Sequence, residues 1–333
     1  MKQYVLGVDA GGTKTHLALF TLDGELADFR QWGPLNHETL PGSFAQFDEE
    51  MRCFTGEALR DLNIDHEQIS MAVMGLGGVD NPTQHGIISG LLHSQGFAKL
   101  LLCNDAYLGI AAGVEAGMGI CAINGSGATL AGINEGGDML QIGGIGGLSD
   151  DRGGGYYLGE QVCGAVYRQL YRRGESTLLT GLLLRALGVE RKEDYMSGIG
   201  AATPAEIAGW NRLLFAAASQ GDGVAAAILA DCAANYANGI AAMVEELPIH
   251  SRKIEIVLAG SVFAREASPV LRDMLRERVA ALLPEREPRL QALENPPVSG
   301  AVAWALRLIH GDNRQFGQVH GQLKGQRPRL VQR

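Results

Sequence analysis

The sequence predicts an α/β protein, with mixed sheets flanked by helices and divided between two domains. Three observations carry that expectation. At roughly 100–200 residues per domain, a chain of 333 residues suits two. Short apolar runs alternate with amphipathic stretches through the first hundred residues, a β-α-β rhythm that builds parallel additions to a sheet. Two glycine–hydroxyl turns, near 9–15 and 124–129, each separate two strand-like runs, a weak internal repeat at the level of halves. Hydrophobic residues make up 46% and charged residues 20%, enough apolar material for a buried core and far from the composition of disorder.

Residues 3–8 (QYVLGV) and 15–22 (THLALFTL) read as strands around a glycine turn, and Asp23-Gly24 leads into a third, completing a meander. From Ser43 to Asn63, Phe44, Phe47, Met51, Phe54, Ala58 and Leu62 recur at helical spacing. Strands at 70–76 and 99–103 flank a helix near 83–95, and a small-residue helix follows Asp105 to about 116. GICAINGSGATLAGI is a second hairpin. Helical runs are expected at 157–173, 203–219 and 222–246, then a strand at 253–259, a helix near 267–283 and another from Ser299. The tail from 312, with five Lys or Arg against one Asp and little periodicity, reads as frayed.

The formal charge of −9 argues against a nucleic-acid or acidic-membrane partner. No apolar run reaches the ~18–20 residues of a membrane span, and the N-terminus reads as a strand, not a signal peptide. The five cysteines, at 53, 103, 121, 163 and 232, form no C-x-x-C pair, which suits reduced thiols in a cytoplasmic protein. The helical faces in 157–246 suit either core packing or a homodimer interface.

Chemistry concentrates in the turns. Asp9-Ala10-Gly11-Gly12-Thr13-Lys14-Thr15 lies between two strands, where bare backbone N–H groups, a hydroxyl and an ammonium can meet a phosphate. Asp9 is then placed to hold a hydrated Mg²⁺; the same residues read equally as a plain glycine hairpin with Asp9 as its turn residue. Gly125, Ser126 and Gly127 repeat this chemistry on the second hairpin, and two such turns facing each other would grip a triphosphate. No Walker A, G-x-G-x-x-G, H-R-D or D-F-G sequence occurs. Asp105 opens a helix after an apolar strand. It reads as an N-cap or as a general base for a hydroxyl attacking a γ-phosphoryl group, two roles that compete for the same lone pairs. Gly260-Ser261 ends the strand KIEIVLA and suits a flat ring passing the backbone, or a helix start with a Ser cap. The loop 142–155, with seven glycines, Asp150, Asp151 and Arg152, is either a connector or a substrate lid.

In this order the motifs resemble the actin, heat-shock ATPase and sugar-kinase superfamily, and within it the BadF/BadG/BcrA/BcrD-type ATPase family, in the branch containing N-acetylglucosamine kinase. The resemblance covers residue 4 to about 310. It implies two ribonuclease-H-like domains with nucleotide in the interdomain cleft: 1–105 plus about 298–311, and 106–297 with a helical insertion. It implies ATP contacts at Gly11, Gly12, Thr13, Lys14, Gly125, Ser126, Gly127, Gly260 and Ser261, and Asp105 as catalytic base. It adds Asn36, His37, Gly144 and Asp151 as sugar contacts. The neighbouring ROK family carries a zinc-binding Cys cluster and an E-x-G-H motif, and the dehydratase activators a Cys-Gly-Gly-Gln-Asp type motif; this chain has none of them.

The implied activity is ATP-dependent phosphorylation of a hydroxyl, the 6-hydroxyl, of an amino sugar such as N-acetylglucosamine or glucosamine. The alternative is an ATPase switch acting on a protein partner. One departure stands out: where the family reads Gly-Asp-Glu-Gly-Ser, this chain reads Asp150-Asp151-Arg152-Gly153-Gly154. Arg152 either pairs with Asp150 or meets an anionic sugar such as a muramic acid derivative.

Overall fold

The computed structural model describes residues 2–264 and 269–331. It opens on the meander β1 (Tyr4–Ala10), β2 (Thr15–Thr21) and β3 (Leu26–Trp32). Then come α1 (Ser43–Asp61), β4 (Ile69–Leu76), α2 (Pro82–Ser94), β5 (Leu100–Cys103) and α3 (Ala106–Gly113). A second meander is β6 (Gly119–Asn124), β7 (Ala128–Ile133) and β8 (Met139–Gly143). The helical stretch holds α4 (Gly155–Leu170), α5 (Leu178–Leu187), α6 (Tyr195–Gly200), α7 (Pro204–Gly209), α8 (Asn211–Ala218) and α9 (Gly223–Glu246). Strand β9 (Lys253–Ala259) leads through α10 (Pro269–Leu282) to β10 (Glu287–Ala292). The chain closes with α11 (Pro297–His310), α12 (Phe316–Leu323) and β11 (Arg329–Leu330).

Two compact units result. The first is Met1–Cys121 with Glu135–Gly137 and Leu293–Arg333; the second is Ala122–Asn134 with Asp138–Ala292. Helix α3, expected with the second domain from residue 106, belongs to the first because it packs on α11.

In the first unit the strand order is β11-β3-β2-β1-β4-β5, antiparallel within the meander and parallel from β1 to β4 and β5. Alternation along β1 decides what each face does. Leu6, Val8 and Ala10 join Phe47, Met51 and Phe54 of α1 and Ile88 and Leu92 of α2 in one core. The opposite face carries Gly7, whose bare Cα lets α11 approach at Ala301 and Val302, and then Asp9. The sheet is therefore apolar toward α1 and ends in a carboxylate toward α3 and α11.

In the second unit the order is β10-β9-β6-β7-β8. Helix α9 is long and apolar enough to cross a membrane by length and composition alone, against the expectation that no apolar run reaches that length. In the fold Leu229, Cys232, Tyr236, Ile240 and Met243 form its buried stripe, at the 3–4 spacing of a core helix.

Several sequence expectations need correction. The run 203–219 is two helices broken at Trp210. Strands β8 and β10 were not anticipated, because they bury too little to show a period-2 pattern; α5 and α6 fall within the stretch from about 156 to 247 whose pattern reads as helical, outside its strongest runs. Positions 267–268 of the helix expected near 267–283, and 332–333 of the tail, lie outside the described residues. The tail is not frayed. Helix α12 buries Val319, His320 and Leu323, and its glutamines bind the β2–β3 turn. Gln315 and Gln322 donate to Leu22 O (3.0 Å) and Gly24 O (2.7 Å), and Gln322 Oε1 accepts from Leu26 N (2.7 Å). Polar residues gave no periodicity to read, yet they supply the bonds that hold the tail down. Beyond them β11 pairs in parallel with β3, and Arg329 binds Asp61 at 3.0 Å.

Candidate active site

The first unit gathers carboxylates where its strands end. Asp9 sits between His16 on β2 and Gly75 on β4. The loop that follows is closed by Gly11 N–H donating to Lys14 O at 3.1 Å, with Gly12, Thr13 and Lys14 exposed at its tip. His16, which sequence reasoning missed, has Nδ1 3.9 Å from Asp9 Oδ2 and Nε2 3.2 Å from Gln31 Oε1. A polar residue paired across the hairpin from Asp9 was its only signal.

Asp105 occupies the N-cap position of α3 (φ −59°, ψ −25°), but its side chain makes no capping hydrogen bond. Asn104 does that work: its Oδ1 accepts from Ala106 N–H at 2.9 Å, and its Nδ2 donates to Asp80 Oδ1 at 2.8 Å. The capping role left open for Asp105 thus falls to its neighbour. A Cβ at Gly11 or Gly77 would lie 3.7 or 3.6 Å from Asp105 Oδ2, and one at Gly77 would lie 3.4 Å from Asn36 Nδ2. Asn36 and His37 therefore share a neighbourhood with Asp105. Asn36 Oδ1 accepts from Glu38 N–H (2.8 Å), and His37 stacks on Phe44 with ring centroids 4.1 Å apart. Asp80 and Gly77-Gly78 were missed, and Asn104 was noted only as the neighbour of Asp105; a glycine straight after an apolar strand, as at Gly260-Ser261, is the signal that could have found Gly77-Gly78.

The electrostatics follow from crowding. Burial, then the charge of Asp105, pushes the Asp9 carboxyl up to about 7, with Lys14 opposing. Burial, then the charge of Asp80, pushes Asp105 up to about 6, with nearby backbone amides opposing. Among the described residues no group of three His, Cys, Asp or Glu is placed to hold a metal by itself. A Mg²⁺ ion would suit this acidic pocket because it brings opposite charge to two carboxyls that burial, and then like charge, raise, and because it takes most of its ligands from phosphate and water.

The second unit is built from main chain. Asn124 ends β6 fully buried; its O accepts from Val262 N–H (2.8 Å) and its Oδ1 from Gly154 N–H (2.8 Å). Gly125 O accepts from Gly155 N–H at 2.8 Å. The turn at Gly260 (φ +89°) lies against this loop so tightly that a Cβ would stand 2.5 Å from Asn124 O. Gly154 (φ +84°) does the same from the other side, 2.7 Å from Ser126 O. Gly125, Ser126, Gly127, Gly260 and Ser261 are thus brought together, with Asn124, which opens the loop, and Gly153–Gly155 of the 142–155 segment as partners whose contact the sequence did not reveal. Ser261 lies in a turn and is not the cap of α10, which begins at Pro269.

Gly144 and Asp151 meet, but chiefly each other. Asp151 Oδ2 accepts from Gly144 N–H (2.9 Å), Gly146 N–H (2.8 Å) and Ser149 Oγ (2.7 Å), stitching the loop closed. Arg152 donates from Nε to Asp150 and from Nη1 to Asp231 on α9, both at 3.0 Å.

Over residues 6–305 the chain matches the BadF/BadG/BcrA/BcrD ATPase family. It belongs to that family. A relative from Clostridium acetobutylicum, an N-acetylmuramic acid/N-acetylglucosamine kinase, is 32% identical over 78% of this chain and 85% of its own length. An N-acetyl-D-glucosamine kinase of Dictyostelium discoideum is 26% identical over 86% and 93%. A solved structure from Chromobacterium violaceum, provisionally named an N-acetylglucosamine kinase, superposes with a TM-score of 0.66 at 24% identity, covering 92% of this chain and 99% of that one. It shares the fold. The reading of this BadF/BadG/BcrA/BcrD family member as an ATP-dependent sugar kinase agrees with the activities of both curated relatives.

Proposed function

We propose that this ATP-dependent sugar kinase transfers the γ-phosphoryl group of ATP to the 6-hydroxyl of an N-acetylated amino sugar, N-acetylglucosamine before N-acetylmuramic acid. The observation that carries the chemistry is Asp105: a carboxylate at a helix start that Asn104 relieves of capping, beside Asn36 and Gly77. In this reading Asp105 takes the proton of the hydroxyl as its oxygen attacks phosphorus. The loops at 11–14 and 125–127 bind phosphates through main-chain N–H groups, and Gly260-Ser261 borders adenosine. Asp9 would hold Mg²⁺, which supplies neutralising charge on the phosphates when bound.

The names of the relatives support an acetylated amino sugar. The choice between a neutral and an anionic one rests on Arg152. Its guanidinium is shared between Asp150 and Asp231, so the cluster carries a net charge of −1 and offers no surplus attraction to a lactyl carboxylate.

The test is ADP release from purified protein supplied in parallel with N-acetylglucosamine, glucosamine, N-acetylmuramic acid and glucose. Phosphorus NMR of the product locates the ester. The expected result is the highest kcat/KM on N-acetylglucosamine and a 6-phosphate. ATP hydrolysis indifferent to every sugar would return the reading to an ATPase switch; a 1-phosphate product would overturn the role given to the 6-hydroxyl.

A further inference from the structure

We propose that the side chain of Asn124 is a positioning residue for the phosphate end of the nucleotide, acting by fixing the start of α4 beneath the Gly125–Gly127 loop. The proposal rests on the reading of that loop as a phosphate loop.

Asn124 is fully buried although its side chain is an amide, so its polar atoms must be spoken for. They are, and each partner lies on a different element. Oδ1 accepts from Gly154 N–H at 2.8 Å, and Nδ2 points to Cys232 Sγ on α9 at 3.7 Å. The main-chain O takes Val262 N–H at 2.8 Å, next to the Gly260-Ser261 turn. One residue therefore joins β6, α4, α9 and the turn after β9.

The side chain and main chain divide the labour. The bond to Val262 uses a backbone atom, so replacing the side chain leaves the adenosine end its anchor. The bond to Gly154 is made by the side chain alone, and Gly154 is the N-cap of a 16-residue helix with no side-chain cap of its own. That bond, with Gly155 N–H to Gly125 O at 2.8 Å, sets the helix start against the loop. The first amides and positive dipole end of a helix favour a phosphate only when held in place. The fit is tight enough that any side chain at Gly154 would strike Ser126 or Gly127.

The experiment is calorimetric binding of ADP, tripolyphosphate and adenosine, each alone, to wild type, Asn124→Ala and Asn124→Ser. Loss of a buried hydrogen bond with the donor left unpaired corresponds to about a tenfold loss of affinity. Asn124→Ala is expected to weaken tripolyphosphate and ADP about tenfold by the same factor, with adenosine held within about twofold. Asn124→Ser, which keeps a hydroxyl acceptor at shorter reach, falls between and carries the test if the alanine variant does not fold. Equal weakening of adenosine and tripolyphosphate, or no change in either, overturns the proposal. Wild type that binds ADP but not tripolyphosphate overturns instead the assignment of phosphates to residues 125–127.

Discussion

The two glycine turns look alike on paper and are built on different physics. The turn after β1 is a seat of charge: burial raises the proton affinity of Asp9 and Asp105, the charge of Asp105 adds to it at Asp9 and that of Asp80 at Asp105, and the loop tip itself is exposed. The turn after β6 is a seat of shape: its neighbours are glycines at positive φ, a buried amide and main-chain hydrogen bonds. The first is suited to chemistry that needs a proton moved and a cation attracted. The second is suited to holding a ligand by close backbone approach. Substitutions that remove charge should therefore injure the first in kcat, and substitutions that add atoms should injure the second in nucleotide affinity.

The largest expected effect is at Asp105. Asp105→Asn should lower kcat by about 10²–10⁴-fold, the range for a lost general base, with ATP affinity unchanged. The same change should stabilise the protein. A carboxyl raised to about 6 in the fold is fully costly above that pH, and the cost disappears as pH falls through the unfolded value near 4. Thermal melts at pH 8 should show the variant above wild type, and melts at pH 4 should show no difference. A variant that loses activity and melts lower at pH 8 would break the contrast, because Asp105 would then be holding the fold together.

Next comes Gly260→Ala. A methyl group 2.5 Å from Asn124 O forces the turn off the loop, and overpacking of this kind typically costs ~1–3 kcal/mol, about 5- to 150-fold in ATP affinity. Kinetics should place that loss in the KM for ATP and leave the KM for sugar alone; the reverse would exchange the roles of the two turns.

Smaller in size is the pH profile. If Asp105 must be ionised, kcat/KM for sugar should rise with pH and level off above about 6. Asp80→Asn removes the nearby negative charge, so the acid limb should move to lower pH. A limb that stays in place would show that Asp80 does not set the acidity of Asp105.

Smallest of all is Arg152→Ala. Its ion pairs are exposed, and such pairs are worth about 0–1 kcal/mol, so N-acetylglucosamine turnover should change by less than about fivefold. Selective loss of turnover on N-acetylmuramic acid would show instead that Arg152 leaves its aspartates for a substrate carboxylate.

How far the sequence was readable follows the same division. The first meander, the β6–β7 hairpin, the strand before Asn104-Asp105 and the buried stripe of α9 announce themselves through apolar periodicity, and the glycine turns through composition. Asp80, His16 and the bonding of the Asn124 side chain did not, because each depends on a partner distant in sequence: Asp80 on Asn104, His16 on a residue across a hairpin, Asn124 on Gly154. The loop around Asp151 shows the other limit. Its residues could be named, but that the carboxylate spends one oxygen on three donors of its own loop is a matter of three-dimensional closure.

Strand β11 is only two residues long, yet it occupies the outer flank of β3, where Val331 N–H reaches Gln31 O at 3.1 Å. Trimming the protein after α11 would uncover a row of unpaired backbone groups, an invitation for molecules to stack edge to edge. Expression with the C-terminus intact and any purification tag at the other end is the arrangement that should keep preparations free of such aggregates.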